Sequence, residues 1–179
     1  ESGKLKKLEV NDVYTLDGQL ILHVEPPKEI KEDLGQKDYF LRDSNWEQDF
    51  PTSARQAEWF YTKETAERVE GVVALDISAI EDLLTVLGAL DLADYNEKIT
   101  SDNLFEKAQI QAEVDFKPGS TRKKDFLSSL AGRLFEIVKT KKDSDWSQLI
   151  FSLAEKLEQK DIFFYFSDSV TQKALESSD

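Results

Sequence analysis

The sequence predicts an α/β fold, namely a single domain in which a mixed β-sheet carries helices on both faces. Apolar residues recur at helical spacing through Ile80, Leu83, Leu84 and Leu87, whereas short apolar runs at residues 71–76 and 162–166 have the length of strands. Helical and strand segments alternate along the chain, which is typical of α/β proteins. No linker rich in Gly, Ser or Pro divides the 179 residues, so one domain is expected over residues 1–179.

The first half of the chain is predicted to begin with strands and to reach a long helix. Residues 4–10 and 19–24 read as two strands joined by a turn, and Pro26 and Pro27 end the second because proline cannot donate to a ladder. A helical turn is predicted at residues 29–34. After a polar loop, a helix is expected over residues 52–65, with Asp49 or Thr52 as its N-cap and Pro51 in its first turn.

The second half alternates between strands and helices. A central strand at residues 71–76 leads to a helix at residues 80–87, which Gly88 ends in a left-handed conformation. Residues 89–93 are a further predicted strand, followed by a helix capped by Thr100 or Ser101. One further helix is predicted to begin near Ser120, and another to span residues 146–157. A strand at residues 162–166 is expected to be covered on both faces, and a final helix at residues 169–175 is capped by Asp168.

The composition excludes several classes of function. A formal net charge of -13 repels nucleic acid and anionic lipid, so no nucleic-acid partner is expected. Cysteine is absent, which removes disulfides and thiol nucleophiles. No run approaches the roughly 18 apolar residues of a membrane span, so this segment is not expected to insert into a membrane. Because the chain starts at Glu1 and contains no methionine, we expect an excised fragment of a larger protein.

The loop at residues 41–49 holds most of the candidate site residues. Asp43, Asn45, Glu47 and Asp49 alternate as D-x-N-x-E-x-D, a spacing of oxygen ligands that can suit calcium. A calcium loop, however, needs glycine at its sixth position and glutamate at its twelfth, where this chain has Gln48 and Ala54. The favoured interpretation is therefore structural: Asp43 and Asn45 bond their own backbone, and Asp49 caps the next helix.

Arginines and aromatic residues supply the other candidates. Arg42 and Arg55 flank the loop and can clamp a phosphate or carboxylate, or they can pair with neighbouring aspartates to brace it. The aromatic residues Trp46, Trp59 and Tyr61 can form a platform for sugars, or they can belong to the core. Arg122, with two lysines after it, starts a helix, where a bound anion would offset the unfavourable dipole. His23 is the only histidine and is interpreted as structural.

The strings PPKEIKEDLG, YFLRDSNWEQDFPTSARQAEWFY, VEGVVALDISAIEDLLTVLG, ITSDNL and KDIFFYFSD together resemble the bacterial family known as domain of unknown function 4012. The RDSNW…DFP segment is the most specific part of this resemblance. It implies a large envelope protein with an N-terminal membrane helix, so that this domain lies outside the cytoplasm, tethered by a segment absent from this chain. It does not imply an established activity.

A weaker resemblance, carried by VEGVVALD, LLTVLGAL and TRKKDFLSSLAGRL, connects the chain to the LytR–CpsA–Psr glycopolymer transferases. Those enzymes move lipid-pyrophosphate-linked polymers onto peptidoglycan, using arginines, aspartates and a divalent metal. The resemblance implies a related topology and gives Arg122 a phosphate contact. The arginine- and aspartate-bearing strand of those enzymes has no counterpart within this chain.

Two functional hypotheses follow from the sequence. The first is a non-catalytic extracytoplasmic module that binds an envelope polymer or a protein partner through the loop and its aromatic residues, without a cofactor. The second is a divergent transferase of the LytR–CpsA–Psr type, which alone would require a divalent cation. An enzyme requires Arg42, Arg55 or Arg122 to converge with two or more carboxylates in one cleft. We favour the non-catalytic hypothesis.

Overall fold

A computed structural model describes residues 9–113, 122–140, 154, 156, 159 and 161–177 of the chain. The predicted α/β class is confirmed. The elements of the described residues are the helices α1 (Val13–Asp17), α2 (Lys28–Asp33), α3 (Phe50–Thr65), α4 (Ile77–Leu87), α5 (Leu104–Glu113), α6 (Arg122–Thr140) and α7 (Ser169–Glu176), the strands β1 (Gly71–Leu75), β2 (Leu90–Leu92), β3 (Glu97–Ile99) and β4 (Ile162–Phe166), and 3-10 turns at Leu41–Asp43 and Ala93–Tyr95. The predicted helix over residues 146–157 lies outside the described residues.

The described strands form two separate pairs, whereas the sequence predicted one mixed sheet. Strands β2 and β3 are an antiparallel hairpin in which Leu90 lies opposite Ile99. Strands β1 and β4 also run antiparallel, because the Ser167 N–H donates to the Glu70 carbonyl at 3.0 Å and the Asp76 N–H donates to the Asp161 carbonyl at 3.2 Å. The hairpin has only three residues in each strand, and in place of a wider sheet it packs against helices of the first unit.

Aspartate side chains cap four of the described helices, and Asp12 caps α1. Asp49, Asp76 and Asp168 each accept hydrogen bonds from backbone N–H groups in the first turns of α3, α4 and α7. Both Asp49 and Asp168 were predicted in this role. Gly88 ends α4 with φ of 82°, a conformation that an L side chain rarely adopts, as the sequence also predicted.

The chain divides into two compact units, and the prediction of one domain stays a prediction. The first unit includes Leu75–Ile162, and the second comprises Asn11–Ala74 with Phe163–Asp179. In the first unit, buried Leu84 packs in a wholly apolar cluster whose other buried members are Leu90, Leu92, Ile99, Leu104, Phe126 and Leu130. The hairpin and helices α5 and α6 supply these apolar partners of α4.

Lys156 forms ion pairs with two distant segments of the first unit, namely helix α4 and the residue before β4. Its ammonium pairs with Asp82 of α4 and lies 3.0 Å from an Asp161 carboxylate oxygen. The Lys156 side chain is only 15% exposed, and hydrogen bonds to the two carboxylates raise its pKa, Asp82 contributing most. Lys156 is therefore charged at neutral pH.

The second unit has a smaller apolar core. Ile30, Tyr39 and Phe60 form its buried centre, and the ring of Tyr39 meets Phe60 edge-on with centroids 5.3 Å apart. A Cβ on Gly71 would lie 2.6 Å from the Tyr165 carbonyl oxygen, so only glycine allows β1 to approach β4 so closely.

Several predicted elements are wrong or only partly right. Residues 19–24 are not a strand: Ile21 is fully exposed, and helix α1 precedes them because Asp12 caps it. The predicted helical turn at residues 29–34 is confirmed as α2. The strand at residues 71–76 is not buried on both faces, since Val73 is half exposed, and Phe163 of β4 is also partly exposed. Most of the predicted strand at residues 4–10 lies outside the described residues.

None of the helices in the described part of the chain is long and apolar enough to cross a membrane.

Candidate functional site

A groove runs along one face of α3 in the second unit. Residues Thr52, Arg55, Gln56, Trp59 and Phe60 follow the helical spacing of i, i+3, i+4, i+7 and i+8, so they line the same side. The facing wall consists of Val24, Glu25, Pro26 and Pro27, with Tyr39 at the base. The groove is open to solvent and has a volume of about 610 Å³, which is within the range of small-ligand sites.

The two prolines shape the facing wall. Pro27 is extended, with φ of -49° and ψ of 150°, and helix α2 begins directly after it. Neither proline has a backbone N–H to leave unsatisfied, so the segment needs no partner strand. Pro26 is buried and Pro27 is partly buried, and both line the groove with the indole of Trp59, which is 42% exposed.

Polar groups of α3 are held in fixed positions within the groove. Arg55 Nη2 donates to Thr52 Oγ1 at 2.9 Å, and its guanidinium carbon lies 5.9 Å from the centre of the Tyr165 ring. The Tyr39 hydroxyl donates to Gln56 Oε1 at 2.6 Å, which leaves the Gln56 amide NH₂ as a donor. Burial is the main reason that the pKa of Tyr39 is raised. The groove therefore combines apolar surface with a few oriented donors.

A charged cluster borders the groove at Glu25. His23 Nδ1 lies 2.6 Å from Asp38 and Nε2 lies 3.1 Å from Glu25, so both ring nitrogens face carboxylates. These hydrogen bonds, with Asp38 first, raise the pKa of His23 and favour the imidazolium. Glu25 also pairs with Lys31, whose hydrogen bond is the main cause of the lowered pKa of Glu25. Glu25 is therefore a stable anion at the edge of the groove.

Arg42, a predicted ligand-binding residue, is engaged within the protein. Its Nη1 donates to Asp17 Oδ2 at 2.8 Å, and its Nε lies 3.7 Å from Asp43 Oδ2. The guanidinium carbon also lies 4.3 Å from the centre of the Phe40 ring and 5.4 Å from that of Tyr14. Arg42 braces the start of the loop in this arrangement, and so does Asp43.

The rest of the predicted loop is exposed but locally ordered. The Trp46 side chain is 42% exposed. The backbone N–H of Trp46 donates to the Asp43 carbonyl at 3.2 Å in a turn. The Glu47 carbonyl accepts from the Ser53 hydroxyl at 2.8 Å, and Asp49 Oδ2 accepts from the Thr52 N–H at 2.9 Å. Asn45 is exposed. The Asp49 bond matches its predicted role as the cap of the next helix. The predicted bonds of the Asp43 and Asn45 side chains to their own backbone stay a prediction.

A metal site finds no support in the part of the chain that the structure describes. It contains no group of three or more His, Cys, Asp or Glu side chains placed to hold an ion. The weak calcium candidates Asp43, Asn45, Glu47 and Asp49 belong to that part. Arg122 is the first residue of α6, and its side chain lies outside the described residues, so its predicted phosphate contact stays a prediction.

Sequence reasoning missed two features of the second unit. It named Arg55 and Trp59 but not the proline wall, Gln56 or Tyr39, because the facing segment was predicted to be the end of a strand. It also missed buried Glu64, which is 5% exposed. Glu64 follows buried Phe60 by one helical turn, and a carboxylate on the apolar face of a predicted helix is a signal that could have revealed it.

The environment of Glu64 perturbs its ionisation strongly. Burial raises its pKa from 4.5 to about 7, and the negative charge of Asp17 adds to this rise. The backbone amide of Leu41 opposes the rise without reaching hydrogen-bond geometry. Glu64 is therefore a buried carboxyl group that titrates near neutral pH.

Comparison with known proteins identifies a family without a known activity. A family model described as a protein of unknown function, DUF4012, matches residues 2–112. No curated protein matches the chain. No solved structure matches it either. The predicted resemblance to domain of unknown function 4012 is thus confirmed, and the resemblance to the LytR–CpsA–Psr transferases stays a prediction.

Proposed function

This chain belongs to the DUF4012 family of proteins of unknown function, and we propose that it is a non-catalytic module that binds a polymer of the bacterial cell envelope. Its proposed location is outside the cytoplasm, on a protein tethered to the membrane by a segment that this chain does not include. The ligand is a neutral glycan chain, and the binding site is the groove along α3.

The groove is the observation that carries the proposal. The exposed indole of Trp59 offers an aromatic face, and sugar rings present C–H faces that stack on such surfaces. Arg55, Gln56 and Glu25 lie around the same groove and supply the donors and acceptors that hydroxyl and acetamido groups require. An open groove, unlike an enclosed pocket, can accept part of a long chain.

The charge of the protein narrows the class of polymer. With a net charge of -13, long-range repulsion disfavours strongly anionic polymers such as polyphosphodiesters. Glu25 at the groove edge adds a local negative charge. A neutral backbone of N-acetylated sugars meets no such barrier, and its amide groups can pair with Arg55 and Gln56.

The ionisation of the groove residues supports binding over catalysis. Glycoside cleavage needs a carboxylic acid that can donate a proton, but hydrogen bonds from Lys31 and His23 lower the pKa of Glu25. Glu25 thus remains an acceptor of hydrogen bonds. Arg55 is anchored by Thr52 and stacks near Tyr165, so it is positioned to orient a ligand.

A pair of tryptophans provides a matched test. Trp59 and Trp46 are both 42% exposed, but only Trp59 lines the groove. Titration calorimetry with a tetrasaccharide of β-1,4-linked N-acetylglucosamine should show binding to the unmodified protein. Loss of one stacking contact in Trp59→Ala should weaken it by roughly threefold to tenfold, and Trp46→Ala should leave it unchanged.

Two outcomes would count against the proposal. Equal losses of glycan affinity in Trp59→Ala and Trp46→Ala would indicate that the glycan contacts the loop at Trp46 and not the groove alone. An absence of glycan binding to the unmodified protein would remove the polymer class proposed here.

The transferase alternative makes a different demand on the structure. Arg42 does meet two carboxylates, Asp17 and Asp43, as such an enzyme requires. The Asp17 side chain is only 3% exposed, however, so this meeting point is packed inside the unit and offers no open cleft for a pyrophosphate. Saturable pyrophosphate binding at low salt, abolished by Arg42→Gln, would favour the transferase hypothesis over the groove.

A further inference from the structure

Helix α1, the 3-10 turn Leu41–Asp43 and helix α3 pack together within the second unit and bury four carboxylate oxygens that accept no hydrogen bond from the described residues. These atoms are Asp17 Oδ1, Asp43 Oδ2 and both Oε1 and Oε2 of Glu64. Asp17 is 4% exposed and Glu64 is 5% exposed. Buried carboxylate oxygens without donors are rare and demand an explanation.

The charges around this cluster do not balance if every group is ionised. Arg42 contacts two of the three carboxylates, since it bonds Asp17 and lies close to Asp43. The guanidinium is held from its other side by the rings of Phe40 and Tyr14. Glu64 has no cationic partner among the described residues and feels the negative charge of Asp17. A buried carboxylate in this position avoids the cost by taking up a proton.

Other occupants of the cluster fit less well. A metal ion needs several ligands around one point, and the described carboxylates do not form a group that could hold one. An anion would be repelled by three carboxylates. A proton, by contrast, needs a single acceptor oxygen, and Glu64 has two oxygens without a hydrogen-bond partner among the described residues.

We propose that Glu64 is the proton-binding group of a pH-dependent switch in the second unit. With the proton bound, neutral Glu64 is tolerated where α1 and the turn pack on α3. When the proton is lost, the uncompensated charge beside Asp17 drives a local opening in which α1 and the turn separate from the C-terminal end of α3. Burial and Asp17 set the pKa of Glu64 at about 7, so the switch operates around neutral pH.

The switch lies next to the groove but does not depend on it. Phe60 lines the groove and precedes Glu64 by one turn of α3, so the opening would begin directly beyond the groove. The pH-dependent switch needs no ligand, and its test uses none. A failure of the switch can therefore be told apart from a failure of the proposed glycan binding.

Direct titration of Glu64 is the first arm of the test. In the unmodified protein, the side-chain carboxyl carbon of Glu64 is followed by ¹³C NMR between pH 3 and pH 9. The expected midpoint is near 7, as the burial of the carboxyl group requires. A midpoint at or below 4.5 would overturn the proposal, because Glu64 would then be ionised at neutral pH without consequence.

Hydrogen exchange is the second arm and detects the opening. The amides of Leu16, Ser44 and Ala66 are hydrogen-bonded in α1, after the turn and at the end of α3. Between pH 5 and pH 8 their protection, corrected for the intrinsic pH dependence, should fall by roughly tenfold to three-hundredfold. Glu64→Gln, which mimics the neutral acid, should abolish this fall.

The exposed residue Glu70 supplies the matched control. Glu70→Gln removes one negative charge near the end of α3 and should leave the pH dependence of protection intact. A fall that persists in Glu64→Gln, or protection that does not change with pH in the unmodified protein, would overturn the switch.

Discussion

The two units of the chain bury different kinds of side chain. The core of the first unit is a continuous apolar cluster centred on Leu84, Leu90 and Ile99. The second unit has a smaller apolar centre of Ile30, Tyr39 and Phe60. All the buried polar residues of the described chain lie in this second unit, namely Asp17, Ser44, Ser53 and Glu64. Apolar burial stabilises a fold, whereas buried carboxylates without full partners cost stability.

This difference indicates a division of roles within the chain. The first unit is stabilised mainly by apolar packing, so its stability should depend less on pH than that of the second unit. The second unit also carries the groove, the exposed indoles and the titrating Glu64, so ligands and protons are expected to act on it. Regions of low local stability are commonly the ones that respond to ligands.

The largest expected effect is a packing defect in the first unit. Leu84→Ala should lower the free energy of unfolding by about 2 to 5 kcal/mol, since it removes buried methyl groups and leaves a cavity. Denaturant unfolding measures this loss. Leu34→Ala, at a leucine that is 61% exposed in the second unit, is the control and should be close to neutral. A loss at Leu84 within error of zero would remove the apolar core as the source of stability.

The next effect should appear as a pH dependence of the second unit. The folded state binds the proton of Glu64 more tightly than the unfolded chain does, because the pKa rises from 4.5 to about 7 on folding. The stabilisation is complete below pH 4.5 and is lost as pH rises to about 7, where the loss reaches about 3 kcal/mol. Denaturant unfolding at pH 4.5 and pH 7.5 measures it.

His23 must be separated from Glu64 in that experiment. Its raised pKa means that its contribution to stability is complete below 6.5 and is lost at higher pH. His23→Asn removes this contribution. The loss of stability between pH 4.5 and 6.5, which we assign to Glu64, should remain in this variant. If His23→Asn abolishes the whole pH dependence, then Glu64 is not responsible.

Removal of a helix cap should lower stability by a smaller amount. This loss should be the same in the two units, because helix caps act locally. Asp49 caps α3 in the second unit and Asp76 caps α4 in the first. Replacing either with alanine should lower Tm by about 2 to 4 °C, and asparagine at the same position should preserve most of the stability. A much larger loss at one of the caps would show that it does more than start a helix.

The smallest expected effect is that of calcium, for which we predict none. Asp49 is occupied as a cap, and Asp43 lies beside Arg42, so the alternating oxygens of the loop do not share one centre. Millimolar Ca²⁺ should leave Tm unchanged. A calcium-dependent rise that Asp43→Ala abolishes would contradict this account and restore the calcium interpretation.

Much of the local structure could be predicted from the sequence. Asp49, Asp168 and Gly88 are strong signals, because side-chain caps and a left-handed glycine act through neighbouring residues. Strand lengths were also recognisable in β1 and β4. The partners of these strands were not, since β1 and β4 are far apart in the sequence and pairing depends on the whole chain.

The candidate site was only partly predictable. Arg55 and Trp59 were named from residue type, but the groove depends on Pro26 and Pro27 facing α3, a tertiary relation that no local spacing reports. Arg42 was predicted either to clamp an anion or to pair with a neighbouring aspartate, but its actual partner Asp17, 25 residues away, could not be named from the sequence. Distant pairings of this kind decide whether a charged side chain is available to a ligand.

The central claim is that the groove of the second unit is where the protein meets its ligand. The most direct measurement is an ¹H–¹⁵N NMR titration with the N-acetylglucosamine tetrasaccharide. We predict saturable shifts of the Trp59 indole N–H and the Gln56 side-chain amide, with no change at the Trp46 indole or at the backbone amides of Leu90 and Ile99. Shifts confined to Trp46, or no saturable shift at all, would contradict the claim.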